Sequence, residues 1–409
     1  MKILIVTARY FPEQFSITNI AEKMVNMGHD ITVLTGVPHY GYGSIFEGYE
    51  NVRFQIINGV KVYRVREIIR KNGVISLMRN YGSIFYRYKQ FLRHHKVKYD
   101  AIISHVISPI FTLRAANYYA TKHKIPHIHY GLDLWPESLV ATYYLKRKSI
   151  FFDIVKKYSR HLYSKCDLIS FSSPSAESYF HEYLDLPQIP FRHIYQPCLT
   201  TMPPRDDIDH HVFRQNGKTN LLYCGTIGKF HRIDLIIEAI SQFEGRNKLK
   251  FHIIGSGSEL DNIKKLVEEK KLSDVVNFYG RIPASQTVKH YLTADILYVP
   301  LINNSCTSLL IPQKAIEYLM YGRPILGMLV GDGAEIIKKA SSDNIICDQT
   351  LDALIASLTK LCNADDEVLV KCGISNRLFF ESEDRFKIDI VCRELVDTCT
   401  ELEMSYRDK

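Results

Sequence analysis

The sequence predicts an α/β protein built from two doubly wound, Rossmann-like domains. The chain has 409 residues, which is too long for one ordinary core and suits two domains of about 180 to 200 residues. Hydrophobic residues make up 46% and charged residues 23%, the balance of a globular protein. Short apolar strands alternate with amphipathic helices in two successive runs, which indicates parallel sheets with helices on both faces.

The first run of alternating elements predicts an N-terminal domain over residues 1–195. The predicted strands cover residues 2–7, 31–35, 59–65, 99–104, 125–130 and 167–172. The predicted helices cover residues 17–27, 76–95, 109–123 and 150–166. Gly28 follows the first helix directly and provides its stop signal.

A proline-rich stretch, residues 184–207, predicts the linker to a second domain over residues 196–375. The predicted strands of this domain cover residues 220–224, 249–254, 275–279, 295–300 and 324–329. Its predicted helices cover residues 233–243, 259–271 and 314–321. A last segment, residues 376–409, contains a helix over about 381–403, which we expect to pack back on the N-terminal domain.

Positive charge is concentrated in the N-terminal half. Residues 1–200 hold 26 Lys and Arg against 14 Asp and Glu, whereas the remainder holds 26 against 30. Two basic clusters, residues 87–98 and 146–165, interleave these charges with aromatic and aliphatic side chains. This pattern favours the surface of an anionic membrane, with a solvated helix face as the alternative. Nucleic acid is not expected, because no recognised binding motif accompanies the charge.

The sequence predicts a cytoplasmic protein that lies peripherally on the inner face of the cell membrane. It contains neither an apolar run of about 18 residues nor a signal-peptide pattern at the N-terminus. Nine cysteines occur singly, without the CxxC spacing of a metal site. We therefore expect reduced thiols and no bound metal.

A nicotinamide or flavin cofactor is not predicted. Neither strand-to-helix turn carries the G-x-G-x-x-G fingerprint, and the chain has no G-x-x-x-x-G-K-[ST] phosphate loop.

A glycine turn opens the second domain at residues 225–229, between a strand and a helix. Small residues there let backbone N–H groups approach an anion, and the following helix adds its positive end. Lys229, with His231 and Arg232 close behind it, is expected to neutralise a diphosphate near Gly228. An ordinary tight turn is the alternative interpretation.

Residues 311–326, IPQKAIEYLMYGRPIL, form the more specific pattern. Lys314 and Glu317 are three residues apart and therefore share one helical face near the helix N-terminus. Lys314 suits a phosphate and Glu317 suits ribose hydroxyls. A surface Lys–Glu pair on a capped helix would have the same spacing.

Taken together, these segments resemble the donor domain of family 4 glycosyltransferases with the GT-B fold. The ordered blocks are GTIG (225–228), HIIGSGSEL (252–260), GRIP (280–283), ADILYVPL (294–301) and PQKAIEYLMYGRPIL (312–326). In the first domain, residues 10–36 and the segment GLDLWPESL (131–139) resemble the branch that builds bacterial capsule and O-antigen polysaccharides, including fucosamine transferases.

The resemblance implies two domains facing each other across a cleft and a retaining sugar transfer without a required metal. The donor would be a UDP-linked sugar and the acceptor a saccharide on a polyprenyl diphosphate. Lys229 and Lys314 would hold the donor diphosphate, and Glu317 the ribose. Gly228, Arg232 and Gly255 would complete the nucleotide-binding set.

Two positions depart from the family pattern. Leu309 stands where an acidic residue is expected eight positions before Glu317, and Leu132 stands where many relatives have histidine. Asp133 then becomes a candidate base for the acceptor hydroxyl, with a loop-capping role as the alternative. Two other functions stay open: a nucleotide-sugar 2-epimerase on the same scaffold, and a non-catalytic sugar-nucleotide-binding partner in polysaccharide assembly.

Overall fold

The computed structural model describes residues 1–40, 43–70, 73–142, 144–200, 202–205, 211–304 and 306–407. The chain forms two units, which divide differently from the predicted ranges. The first unit comprises Met1–Leu199 with Arg385–Lys409, and the second comprises Thr200–Asp384. Residues 201, 206 and 207 of the proline-rich stretch lie outside the described residues.

The first unit contains an eight-stranded sheet in the order β3-β4-β2-β1-β5-β6-β7-β8. All neighbouring strands pair in parallel except β3, which is antiparallel to β4. The strands are β1 Lys2–Thr7, β2 Asp30–Gly36, β3 Phe54–Ile57, β4 Val60–Val65, β5 Ala101–Val106, β6 His127–Gly131, β7 Leu168–Phe171 and β8 Phe191–His193. Six of these strands match the sequence prediction, whereas β3 and β8 were not predicted.

Helices cover both faces of this sheet, so β1 and β5 are buried along almost their whole length. The helices are Ser16–Asn26, Val74–His94, Phe111–His123, Glu137–Ala141, Ile150–Tyr163, Ala176–Ser178 and Ile388–Arg407. The last of these packs on Ser16–Asn26, where Val391 and Leu395 share a buried cluster with Ile17 and Ile20. The C-terminal helix thereby completes the core of the first unit.

The second unit contains six parallel strands in the order β11-β10-β9-β12-β13-β14. The strands are β9 Thr219–Cys224, β10 Leu249–Ile254, β11 Val276–Gly280, β12 Ile296–Pro300, β13 Ile325–Met328 and β14 Ile345–Ile346. Its helices are Ile233–Gln242, Leu260–Glu269, Ala284–Thr293, Gln313–Met320, Asp332–Ala340, Leu351–Asn363 and Asp366–Ser382. Short helical turns lie at Lys229–His231, Arg246–Lys248 and Thr307–Leu309, and a fourth, Asp384–Phe386, lies where the chain passes from the second unit to the first.

Each sheet has a point where the strand order reverses. In the first unit this point lies between β1 and β5, and in the second between β9 and β12. In open α/β sheets, ligands bind outside the carboxyl ends of the strands at such a point. A ligand site of the second unit is therefore expected at the loop that follows β9.

Candidate functional site

The loop after β9 is the glycine turn, residues 225–229. Its backbone packs directly against the backbone of the loop that follows β10. The Gly225 N–H donates to the carbonyl of Ile254 at 2.8 Å, and the Ile227 N–H donates to that of Ser256 at 2.9 Å. A Cβ on Gly255 would lie 1.8 Å from the Gly225 oxygen, and the φ of Gly255 is 138°. Gly255, assigned from the resemblance to nucleotide binding, is thus required by the close approach of two loops.

Lys314 lies directly against this turn. Its helix, Gln313–Met320, starts after Pro312, and the lysine ammonium sits 4.9 Å from the ring centroid of Tyr223. A Cβ on Gly225 would lie only 1.5 Å from the Nζ atom of Lys314. The structure therefore brings together Lys314 and the first glycine of the turn, which stand 89 positions apart in the sequence.

The ammonium of Lys314 is half-buried and forms no ion pair within the described part of the chain. Burial lowers the pKa of Lys314 to about 8, while Cys224 and Glu317 act in the opposite direction. Burial and the charge of Lys314 together lower the pKa of His231 to about 3, so this imidazole is neutral. Its buried Nδ1 atom has no hydrogen-bond partner among the described residues.

Glu317 lies one turn along the same helix and is held by a residue that the sequence did not point to. The Thr200 hydroxyl donates to its carboxylate at 2.5 Å. Burial raises the pKa of Glu317, whereas the hydrogen bond from Thr200 and the charge of Lys314 lower it. No sequence signal links the two residues, because 117 positions separate them.

The other two basic residues of the turn have different surroundings. Lys229 is exposed and begins a single helical turn, which the hydrogen bond from Ile302 N–H to the Phe230 carbonyl anchors at 2.7 Å. Arg232 has a left-handed backbone, with φ at 42°, and its guanidinium pairs with Asp234 at 3.1 Å. The Arg232 charge is thus shared with a carboxylate, unlike that of Lys314.

Gly228 differs from Gly225 in what surrounds it. A Cβ there would come no closer than 3.9 Å to any side chain, and its backbone is extended, with φ at −132°. Packing within the unit therefore leaves Gly228 open to substitution, and its predicted role at a diphosphate stays a prediction.

Leu309 ends the helical turn Thr307–Leu309, in a loop whose polar groups bond to one another. The side-chain amide oxygen of Asn304, Oδ1, accepts the N–H groups of Cys306 and Thr307 at 2.9 and 3.0 Å. A Cβ on Gly331, whose φ is 64°, would lie 1.9 Å from the Ser308 carbonyl oxygen. The loop is closely packed, and at position 309 it presents an apolar side chain.

In the first unit, Asp133 caps the loop that follows β5. Its carboxylate accepts the backbone N–H of Ser108 at 2.8 Å, and burial raises its pKa while this bond lowers it. The indole of Trp135 is buried and donates to the Ser108 hydroxyl at 2.9 Å, so it belongs to the core. Asp133 therefore has the capping contact, and its role as a base stays a prediction.

The strand histidines of the first unit are buried and neutral. Burial lowers the pKa of His105 to about 4 and those of His127 and His129 to about 3. The Ser104 hydroxyl lies 2.8 Å from Nε2 of His127 and 3.3 Å from Nδ1 of His129. These contacts give His127 and His129 a structural role in the sheet.

Within the described ranges, no group of three or more His, Cys, Asp or Glu side chains is arranged to hold a metal ion. Likewise, none of the helices there has the length and apolar character needed to cross a bilayer.

Comparison with known families covers both units. Residues 14–198 match the model of Glycosyltransferase Family 4, and residues 205–377 match that of the group 1 glycosyl transferases. A probable glycosyltransferase of Pseudomonas aeruginosa, WbjE, is 27% identical over 207 residues, 50% of this chain and 51% of WbjE. An uncharacterised glycosyltransferase of Methanocaldococcus jannaschii is 23% identical over 364 residues, 83% of each chain.

Solved structures share the two-domain fold at low identity. Sucrose-phosphate synthase from Thermosynechococcus elongatus aligns with a TM-score of 0.74 at 14% identity and covers 99% of each chain. WaaG, a glycosyltransferase of lipopolysaccharide biosynthesis, aligns with a TM-score of 0.67 at 15% identity, covering 98% of this chain and all of WaaG. Because the two family models together span most of the chain, it belongs to the family 4 glycosyltransferases and has the GT-B fold.

Proposed function

We propose that the chain transfers a sugar, with retention of configuration, from a UDP-sugar to a polyprenyl-diphosphate-linked saccharide at the cytoplasmic face of the membrane. The observation that carries the proposal is the Lys314 ammonium, which lies against the glycine turn at the β9–β12 reversal point and has no ion pair among the described residues. An unneutralised cation beside a glycine turn suits a diphosphate.

The chemistry of the leaving group gives this cation its role. As the bond from the sugar to the diphosphate breaks, negative charge grows on the departing oxygen. A fixed cation there stabilises the transition state more than the ground state, and this difference lowers the barrier. Lys229, exposed on the same turn, would add a second charge.

Glu317 is proposed to accept hydrogen bonds from the ribose hydroxyls. Its carboxylate is largely buried and held by Thr200, so a ribose would meet an acceptor that is already oriented. Two solved relatives support a uridine nucleotide: Anabaena HepE was determined with UDP, and a trehalose-6-phosphate protein of E. coli with UDP-2-fluoro glucose.

Calorimetric titration with UDP tests the donor site. We expect Lys314→Ala to weaken UDP binding by about 10- to 100-fold, the value of a charge-assisted phosphate contact. Lys339→Ala, which removes an exposed lysine of the helix Asp332–Ala340, is the matched control and should leave the affinity unchanged. Equal affinities for the wild type and Lys314→Ala would remove the basis of the proposal.

Labelled donor separates transfer from the other activities on this scaffold. We expect the labelled sugar to appear on a lipid-linked acceptor. Release of UDP with an altered free sugar would instead indicate an epimerase, and UDP binding without turnover across an acceptor panel would indicate a non-catalytic partner.

The membrane part of the proposal is supported by the helix Ile150–Tyr163. Its first turn exposes two large apolar side chains, Ile150 at 78% and Phe151 at 71%, and Ile154 is exposed one turn later. Exposed lysines flank them, Lys146 and Lys148 before the helix and Lys157 on it. Apolar side chains surrounded by lysines favour the interface of an anionic bilayer.

Flotation with vesicles tests this surface. We expect binding to phosphatidylglycerol-containing vesicles, weakened strongly in Lys146→Gln/Lys148→Gln/Lys157→Gln and in Phe151→Ser/Ile154→Ser. Arg147 is left intact, because it pairs with the buried carboxylate of Glu137 and its removal would leave that charge unpaired. The control is Lys264→Gln/Lys265→Gln/Lys289→Gln, which removes the same charge from the second unit; equal binding by all variants would count against a membrane surface here.

A further inference from the structure

Tyr223 contacts both parts of the proposed donor site. It is the penultimate residue of β9, and its side chain is fully buried in the core of the second unit. Its ring centroid lies 4.9 Å from the Lys314 ammonium. Its hydroxyl donates to the Thr226 carbonyl, in the middle of the glycine turn, at 2.5 Å.

We infer that Tyr223 is a positioning residue, which holds the Lys314 ammonium with its ring and the glycine turn with its hydroxyl, so that both face the donor diphosphate. The inference rests on the proposed function, because it assigns a role to Tyr223 within the same site.

The ring attracts the ammonium without neutralising it. An aromatic face stabilises a cation through its quadrupole, whereas a carboxylate in the same place would compete with the diphosphate for the lysine. The titratable groups that face Lys314 are the Cys224 thiol, the Glu317 carboxylate and the His231 imidazole. Burial raises the pKa of the Cys224 thiol and lowers that of His231 to about 3, so neither group carries a charge near neutral pH.

The Tyr223 hydroxyl restrains the glycine turn through a hydrogen bond to its backbone. The Thr226 carbonyl is bound by Tyr223, and the Ile227 N–H is bound by the Ser256 carbonyl. The peptide between these two residues is therefore held at both of its polar groups. A turn held in this way presents its remaining N–H groups in one orientation, which reduces the ordering cost of anion binding.

Two substitutions separate the ring from the hydroxyl. Tyr223→Phe keeps the aromatic face but loses the hydrogen bond from the hydroxyl to the glycine turn. Its UDP affinity should be about two- to tenfold lower than that of the wild type. As the pH rises, this affinity should decline at the same pH as in the wild type. Tyr223→Leu removes the aromatic face, so the affinity should fall about 2- to 30-fold more. In Tyr223→Leu the UDP affinity should also begin to decline at a lower pH than in the wild type, because Lys314 loses its proton more readily without the ring.

The matched control is Tyr298→Leu. Tyr298 is fully buried in β12 of the same core, next to Tyr223, and its hydroxyl faces the sulfur of Met328. Its replacement should lower the melting temperature as much as Tyr223→Leu, with the pH profile of UDP binding unchanged. If Tyr223→Leu does not fold, Tyr223→Met, which retains most of the side-chain volume, replaces it.

The inference would be overturned if Tyr223→Leu, or its Met substitute, kept the wild-type pH profile, or if Tyr298→Leu shifted the profile equally. Failure of the underlying function looks different, because UDP affinity would then be unaffected by Lys314→Ala as well. Calorimetric titration with UDP between pH 6.5 and about 9.5 distinguishes these outcomes.

Discussion

Gly225→Ala is the smallest change that should displace the lysine of the donor site. The added Cβ would lie 1.5 Å from Nζ and 2.5 Å from Cε of Lys314. Carbon and nitrogen atoms that are not bonded stay about 3.5 Å apart, so the end of the lysine must move by roughly 2 Å. The φ of Gly225 is not positive, so alanine adds no backbone strain.

The displaced ammonium of Lys314 would lose two contacts, which decide how stability and UDP affinity change. It moves off the Tyr223 ring, a contact that is worth about 0.5–2 kcal/mol. It also leaves the position from which it would meet a phosphate, a charge-assisted hydrogen bond of about 1.5–3 kcal/mol. Because the ring contact is lost in the free and the bound protein alike, the phosphate contact sets the expected weakening of UDP binding, about 1.5–3 kcal/mol or about 10- to 150-fold. The melting temperature should change little, because a lysine end can move and alanine restricts the unfolded chain.

The assay is calorimetric titration with UDP in a double-mutant cycle with Lys314→Ala. In the Lys314→Ala background the clash is absent, so Gly225→Ala should cost almost nothing further. In thermal denaturation, Gly228→Ala, whose Cβ meets only contacts at 3.9 Å, controls for the effect of alanine on the stability of the turn.

Two results would refute this reasoning. The first is folded Gly225→Ala protein with UDP affinity within twofold of the wild type. The second is the same loss in both backgrounds, since the glycine would then act on the donor independently of Lys314.

Three further outcomes are expected. Gly255→Ala should lower the free energy of unfolding by about 1–3 kcal/mol, because its Cβ would meet the backbone oxygen of Gly225 at 1.8 Å, and thermal denaturation measures this. Thr200→Val should weaken UDP binding about two- to tenfold by freeing the Glu317 carboxylate, whereas Thr200→Ser should not, as titration will show. The buried histidines of the first unit have lowered pKa values, so the unfolded chain binds more protons below about pH 6.5 and stability is lost as pH falls. Urea unfolding at pH 7 and pH 5 should differ by roughly 1–2 kcal/mol per histidine, and equal stabilities would contradict their burial in neutral form.

The buried strands of both sheets were predictable because their sequences are continuous apolar runs. β1 reads KILIVT and β12 reads ILYVP, and both are shielded on two faces. The strands that were missed are short or lie at an edge: β3 alternates between half-buried and exposed residues, and β14 has two residues. Their pairing depends on a neighbour already in place, and a local pattern does not contain that information.

One helix that was missed, Asp366–Ser382, has a weak contrast between its faces. Asp366–Ser382 buries Leu369, Cys372 and Phe380 but also exposes Val368 and Leu378. Its apolar residues therefore surround the helix instead of forming one stripe, and periodicity does not identify it. The helix Gln313–Met320, in contrast, was predicted within one residue at each end from its stripe and from the glycine and proline that follow it.

The site residues could be chosen by type and spacing, but their partners could not. Lys314 and Glu317 stand out because a cation and a carboxylate share one helical face. That the lysine meets an aromatic ring and the glutamate meets Thr200 depends on contacts across 91 and 117 positions. Local sequence has no signal for such contacts, because the sheet order that creates them is a property of the whole unit.

The glycines of the second unit show why a motif alone does not separate binding from packing. Gly225 and Gly255 look alike in the sequence, each directly after a strand. Gly255 is needed because backbone lies against backbone, so its replacement should act on stability. Gly225 is needed because a charged side chain occupies the space of its Cβ, so its replacement should act on the ligand that this charge binds. The proposed donor site therefore depends on the position of the Lys314 ammonium. A glycine substitution that weakens UDP binding without unfolding the protein distinguishes a role in binding from a role in packing.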